Sequence, residues 1–302
     1  MALTYFATDR IQGTNAERIA MTIENRTQDY ASLLSTYSPD FALLFDEGTG
    51  TPVNEGTNKN VTMAVSNSNP AWTANSGGFL GTSGSYGMKF DQDLSTGAWN
   101  ENAPCIHWDD LQGGTTQNWT VMMLIKFLDH VPDNNMIGYR GDPYNNAMNV
   151  GCSLNHGDTP CGNKRFGQRA HYNSRWNGTN SSTDLVADVW QTLCISNTTS
   201  NTHKMYVNGV QDGSGSFSGG GNNPISGLAV MNDVGGQGDA WIIDSIVYAN
   251  STQSDSNILG WDSKLRGVTY TYPNMPKGTI FEASDTGKHW MWDGTSAWEE
   301  IS

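Results

Sequence analysis

Eight glutamates stand at positions 17, 24, 47, 55, 101, 282, 299 and 300, and none lies between Ala103 and Phe281. Retaining glycoside hydrolysis needs two carboxyl groups roughly 5–5.5 Å apart. A strand supplies them by presenting acids at alternate positions on one face. The middle of this chain offers aspartates alone, and neighbours such as Asp109 and Asp110 point to opposite faces of a strand. The histidines, at 107, 130, 156, 171, 203 and 289, show no His-x-His, His-x-x-x-His or His-Glu-x-x-His spacing that would build a metal site. There is no Gly-x-Ser-x-Gly nucleophile turn and no Gly-Lys-Ser/Thr phosphate loop. Cysteines at 105, 152, 161 and 194 form no Cys-x-x-Cys pair, which disfavours zinc. Cys152 and Cys161 bracket a turn-rich loop at bridging distance in sequence, and without an export signal the reduced, buried state is the favoured alternative.

What remains is binding chemistry. Sugar recognition pairs an aromatic plane with a few fixed polar groups. Two stretches carry that combination: Tyr139, Arg140 and Tyr144, and then His171, Tyr172, Arg175 and Trp176. The competing reading makes Tyr172 and Trp176 core or interface anchors.

These residues need a scaffold, and the composition selects its class. The 302 residues hold 34 glycines and only 15% charged residues, a profile of short strands and tight turns rather than helices. Eleven tryptophans and eleven tyrosines supply core area. A net charge of −14 repels phosphate backbones and argues against nucleic-acid binding. The first seven residues are apolar but lack a basic flank and run straight into Asp9-Arg10, so they read as no targeting segment. No apolar run is long enough to span a bilayer.

Apolar alternation marks the expected core faces: Met88 and Phe90; Val121, Met123 and Ile125; Leu193 and Ile195; Met205 and Val207; Ile242, Ile246 and Tyr248. Asn208-Gly209 predicts a two-residue hairpin turn. Tyr30, Leu33, Leu34 and Tyr37 predict a short helix ending at Ser38-Pro39, and Ser254 opens a second one with Leu265 as an anchor. Residues 273–302 read as a three-stranded meander, too small to stand alone.

In order, the pieces resemble a laminin G-like, concanavalin A-type jelly roll: the Phe41–Gly50 segment with its Asp46-Glu47-Gly48 turn, Tyr86-Gly87-Met88-Lys89-Phe90-Asp91, the strand from Trp119, the strand from Trp190, the Asn208-Gly209 hairpin and the strand around Asp244. The resemblance implies an all-β sandwich with an N-terminal arm and short helix at 1–37, the jelly roll at 38–270 and a small meander at 271–302. It also implies a structural calcium held by Asp46 or Glu47 from the early acidic turn together with Asp244 on the late strand. Glucanases of that fold carry Glu-x-Asp-x-x-Glu on one strand, which this chain lacks. The tail with Gly278-Thr279, Phe281-Glu282, Asp285-Thr286-Gly287-Lys288, Trp290, Asp293-Gly294 and Trp298 resembles a segment found in structural proteins of tailed phages and related viruses.

Together the resemblances imply a non-enzymatic virion surface protein, a capsid decoration or tail-associated subunit made in a host cytoplasm. Its partners would be other virion proteins and further copies of itself. Ile19, Met21, Ile23, Trp290, Trp292 and Trp298 would be its assembly contacts. A second reading is an extracellular glycan-binding adhesin or receptor-binding protein. A third is a divergent glycan hydrolase or lyase, which the missing carboxylate set disfavours.

Overall fold

The structure is a computed structural model that describes residues 4–6, 10–13, 18, 23–58, 62–65, 71–91, 105–109, 118–128, 135–139, 148–152, 165–172, 175–198, 202–216, 227–231, 240–271, 277–294 and 297–301. The chain divides into two compact units. One joins its two ends, Met1–Thr27 and Val268–Ser302, and the other runs from Gln28 to Gly267. Among the described residues, no helix is long and apolar enough to cross a membrane.

The larger unit is an all-β sandwich, as the sequence predicts. Strands β4 (Phe41–Leu43), β6 (Ala71–Trp72), β7 (Met88–Asp91), β9 (Trp119–Phe127), β14 (Trp190–Asn197), β15 (Thr202–Val207), β16 (Val210–Ser216) and β18 (Ala240–Ala249) form one antiparallel sheet. Its order is β16-β15-β14-β9-β18-β7-β6, with β4 also paired to β18. Strands β5 (Thr62–Val65), β8 (Cys105–Asp109), β10 (Asn135–Tyr139), β11 (Met148–Cys152), β12 (Arg165–Tyr172), β13 (Arg175–Asp184) and β17 (Gly227–Met231) form the second, in the order β13-β12-β11-β10-β17-β8-β5. Alternate residues of β9 (Trp119, Val121, Met123, Ile125 and Phe127) meet Leu193, Ile195, Met205 and Trp241 in one core. Phe166 and Leu185 enter that core from β12 and from the stretch just after β13.

The eight-stranded sheet is buried on its other face too. Met122, Leu124, Cys194 and Tyr206 lie there, out of contact with water, which is why β9 reads as a near-continuous apolar run. Helix α1 (Tyr30–Tyr37) and helix α2 (Asp255–Arg266) provide the buried residues Leu33, Ile258, Trp261 and Leu265. Both predicted helices are present, capped by Asp29 and Ser254 and closed by left-handed Ser38 and Gly267. The Asn208-Gly209 turn has φ of 53° and 76°, the two positive values a type I′ hairpin requires.

One phase differs from expectation. A register shift between Ile243 and Ser245 makes Asp244 an extra residue in β18. The core set is therefore Trp241, Ile243, Ile246 and Tyr248, and Ile242 lies outside that cluster.

The smaller unit departs further from the sequence reading. Strands β1 (Thr4–Phe6) and β2 (Arg10–Gly13) join β20 (Ile280–Ala283), β21 (His289–Trp292) and β22 (Trp298–Glu300) in the order β1-β2-β20-β21-β22. The β2–β20 contact is parallel. Strands β3 (Ile23–Arg26) and β19 (Val268–Thr271) make a separate two-stranded ribbon. The N-terminal residues are thus strands of a sheet shared with the tail, and helix α1 belongs with the sandwich; the expected boundaries near 37 and 270 fall instead at 27 and 267. Of the three indoles expected to face a neighbour, two are internal and Trp298 is half-buried. Trp290 is 6% and Trp292 1% exposed, and Trp298 packs against the Phe281, Ala283 and Trp290 cluster. Two added strands let the sheet bury what a three-stranded meander would expose. Ile23 pairs with Thr271 in the ribbon, while Ile19 and Met21 lie outside the described residues.

Candidate binding sites

The residues proposed for sugar contact come together in register. Gly138 on β10 pairs with Asn149 on β11. Met148, one residue along β11, pairs with Ala170 on β12, and Ala170 with Asn177 on β13. Tyr139 therefore ends β10 in the row of Ala170 and Asn177. The next two rows outward pair His171 with Trp176 and Tyr172 with Arg175. Five residues from two distant stretches thus share one end of the seven-stranded sheet, with Tyr139, Tyr172 and Arg175 in register for one face and His171 and Trp176 for the other. Arg140 and Tyr144 follow Tyr139 in the chain and lie outside the described residues.

The calcium set is not brought together as a cage. Asp244 is 2% exposed and its oxygens are occupied by donors. Gln28 Nε2 at 2.5 Å and Tyr30 Oη–H at 2.9 Å both donate to Oδ1. The Phe79 N–H donates to Oδ2 at 2.8 Å. Glu47 Oε1 accepts the Val53 N–H at 2.7 Å. Calcium requires six to eight oxygen ligands, and among the described residues no three or more of His, Cys, Asp and Glu gather as a metal-holding group. The N–H and O–H donors are a neutral substitute for an ion, so these residues do not fit calcium. Burial pushes the Asp244 carboxyl up to about 6, against the pull of the Phe79, Gln28 and Tyr30 hydrogen bonds and with a further push from Asp46. Burial, then the Asp244 charge, raises Tyr30 as well.

Of the cysteines, Cys194 is free and buried, and burial raises its thiol pKa. Cys105 and Cys152 lie on β8 and β11, and Cys161 is outside the described residues.

A groove that the sequence did not announce lies where β14, β15 and β16 end beneath the segment leading into α2. Its volume is about 810 Å³, and eight of its thirteen described lining residues are serine or threonine. No Trp, Tyr or Phe lines it among those residues. Register builds its floor: Ser196, Lys204 and Ser214 are cross-strand neighbours. Thr202 pairs with Ser216, and the Thr202 carbonyl accepts the Thr198 N–H at 2.8 Å. Its wall is fixed. Lys204 Nζ and Tyr206 Oη–H each donate to Asp255 Oδ1 at 2.8 Å. The Gln253 N–H donates to Thr120 Oγ1 at 3.0 Å and to Ser196 Oγ at 3.2 Å. The Lys204 and then the Tyr206 hydrogen bonds hold the Asp255 carboxyl below its usual range. Burial lowers His203, which also lines the groove, to about 4, leaving it neutral near pH 7. The density of Ser and Thr from 251 to 256 was the available signal; what it lacked was the register that sets it over β14–β16.

No family model matches the chain, and no curated protein matches it. Its fold is similar to solved receptor-binding domains. The binding domain of botulinum neurotoxin DC, in complex with rat synaptotagmin II, aligns with a TM-score of 0.57 at 11% identity, covering 80% of this chain and 54% of that one. A botulinum neurotoxin type C structure, described by the dependence of cell entry on two ganglioside molecules, gives 0.57 at 10%, covering 78% and 53%. The binding domain of Paraclostridial Mosquitocidal Protein 1 gives 0.53 at 12%, covering 75% and 52%. This chain spans about half the length of each. At such identity the likeness is one of fold, an all-β sandwich.

Proposed function

We propose that this protein is a non-catalytic glycan-binding module, an adhesin or receptor-binding protein. The carrying observation is the register that sets Tyr139, His171, Tyr172, Arg175 and Trp176 at one end of the seven-stranded sheet. Aromatic rings, an imidazole and a guanidinium are the kinds of group that stack on and hydrogen-bond to a sugar. The neighbours in fold are binding domains, and one is described with gangliosides. The absence of Glu from 104 to 280 supports the non-catalytic reading.

A glycan array with the purified full chain tests it. Binding to a defined glycan class is expected, falling at least tenfold in Trp176→Ala and Arg175→Ala, which corresponds to about 1.4 kcal/mol or more. An array blank at high protein concentration defeats the proposal. Release of reducing ends from a bound glycan would overturn its non-catalytic half.

A virion surface subunit is the second reading, and one observation favours it. Both chain ends are committed to a unit that the sandwich does not need for its own core, and that unit contains the tail resembling viral structural proteins. On this reading the smaller unit attaches the chain to its assembly and the sandwich is displayed. Antibody against residues 28–267 should label intact purified particles; failure to detect the chain in them excludes it.

A further inference from the structure

The groove beside α2 has a chemistry of its own, on the other sheet from the hairpin site, the end of the β12–β13 hairpin with His171, Tyr172, Arg175 and Trp176. Its floor and wall present hydroxyls, one ammonium and one carboxylate in fixed positions. Each side chain's charge class narrows the ligand. Lys204 would draw an anion, but its charge is met by Asp255 at 2.8 Å. The positive end of the α2 dipole is met by the same carboxylate, which lies in the helix's first turn. A cation would meet Lys204. An apolar or planar ligand would find no aromatic surface among the described lining residues. A neutral polyhydroxylated molecule, held through hydrogen bonds rather than by stacking on an aromatic plane, suits every group present. An ammonium has three N–H bonds, and one of those of Lys204 is directed to Asp255. Serine and threonine hydroxyls both donate and accept. Volume agrees, since small-ligand sites occupy roughly 300–1,000 Å³.

We infer that the groove formed by Ser196, Lys204, Ser214, Gln253 and Asp255 is a second binding site, which takes a neutral saccharide. Its polar groups are held before any ligand arrives. Asp255 is fixed by two donors and Gln253 by Asn257 Nδ2–H at 2.9 Å and Ser251 Oγ at 2.6 Å. Side chains already ordered lose little further entropy on binding.

Saturation-transfer NMR on the full chain tests it, with maltotriose, xylotriose and lactose as neutral probes and sialyllactose as the charged one. Ser214 is exposed on β16, so Ser214→Tyr fills the groove without entering the core. Transfer to at least one neutral probe is expected in the wild type and in Trp176→Ala. It should fall at least fivefold in Ser214→Tyr and in Lys204→Ala. A melting curve matching the wild type verifies the fold of each variant, and Lys204→Ala decides if Ser214→Tyr does not fold. No transfer to any neutral probe overturns the inference, as does equal transfer in wild type and both groove variants. Transfer lost in Trp176→Ala but kept in the groove variants also overturns it, assigning the sugar to the hairpin end. A blank array with intact groove binding would defeat the hairpin proposal alone.

Discussion

Asp244 joins three segments that are far apart in sequence: Gln28 and Tyr30 before and within α1, Phe79 in the 73–87 loop, and its own strand β18. A carboxylate accepts at both oxygens, which is what three donors arriving from two sides require. An amide in its place would turn an NH₂ group toward one of those donors. Asp244→Asn should therefore cost about 1–3 kcal/mol in urea unfolding; a change below about 0.5 kcal/mol, the size of an ordinary surface substitution, would show that the node is not structural. The pH dependence has a fixed sign. Burial raises the carboxyl from 3.8 to about 6, so between those values the folded chain holds a proton that the unfolded chain has lost. This group's contribution is present at low pH and fades as pH rises through 6. The variant should lack that slope when melting temperatures are compared at pH 4.5 and 7. Sequence alone placed Asp244 with Asp46 and Glu47 because an aspartate on a late strand resembles a calcium ligand. The glutamine and tyrosine that occupy its oxygens come from a helix whose docking no local pattern encodes.

At the scale of elements, the strands were legible because burial imposes a period of two. Val121, Met123 and Ile125, Leu193 and Ile195, and Met88 and Phe90 all face the core as their alternation predicts. The phase failed only in β18, where the extra residue at Asp244 shifts the inward set from Ile242 to Ile243. A bulge conserves composition and alters only phase, so it leaves no mark in an apolar run. The loop that brings Phe79 to Asp244 makes a related demand. A side chain at Gly78 would collide with the Tyr86 carbonyl, the Ser85 hydroxyl lying beside it. Backbone cannot yield as a side-chain tip can. Gly78→Ala should displace the loop and cost about 1–3 kcal/mol, with faster hydrogen exchange at the Phe79 amide. Unchanged protection of that amide would show that the close approach is not required. The proposed β12–β13 site could be nominated from sequence for a different reason: aromatic and cationic residues stood out in a chain poor in charge. The groove did not stand out, since serines and threonines occur throughout.

At the scale of the molecule, the least legible feature is that the two ends fold with each other. Residues 10–13 and 280–283 are separated by the entire sandwich, and their parallel pairing is encoded in neither segment alone. The sandwich, by contrast, closes on itself. The Asp29 N–H donates to the Lys264 carbonyl at 2.9 Å, and Lys264 Nζ meets Asp29 Oδ2 at 2.8 Å, so its first and last residues are fixed together by contacts of its own. This asymmetry predicts an unusual truncation series. Removing 1–27 alone takes β1 and β2 from the small sheet, together with Arg18, whose guanidinium lies 4.2 Å over the Trp290 ring. Phe281 and the indoles would then be left on three strands, too few to bury them. Removing 268–302 alone strands the N-terminal segment without a partner. Removing both leaves 28–267 with its core, helices and end-to-end contacts intact. The double truncation should therefore be soluble, β-rich in circular dichroism and cooperative in its melt. The first single truncation should show red-shifted tryptophan emission and a greater tendency to aggregate. If 1–27 can be deleted with no change in emission or solubility while the double truncation fails to fold, the two-unit division does not describe how the chain holds together.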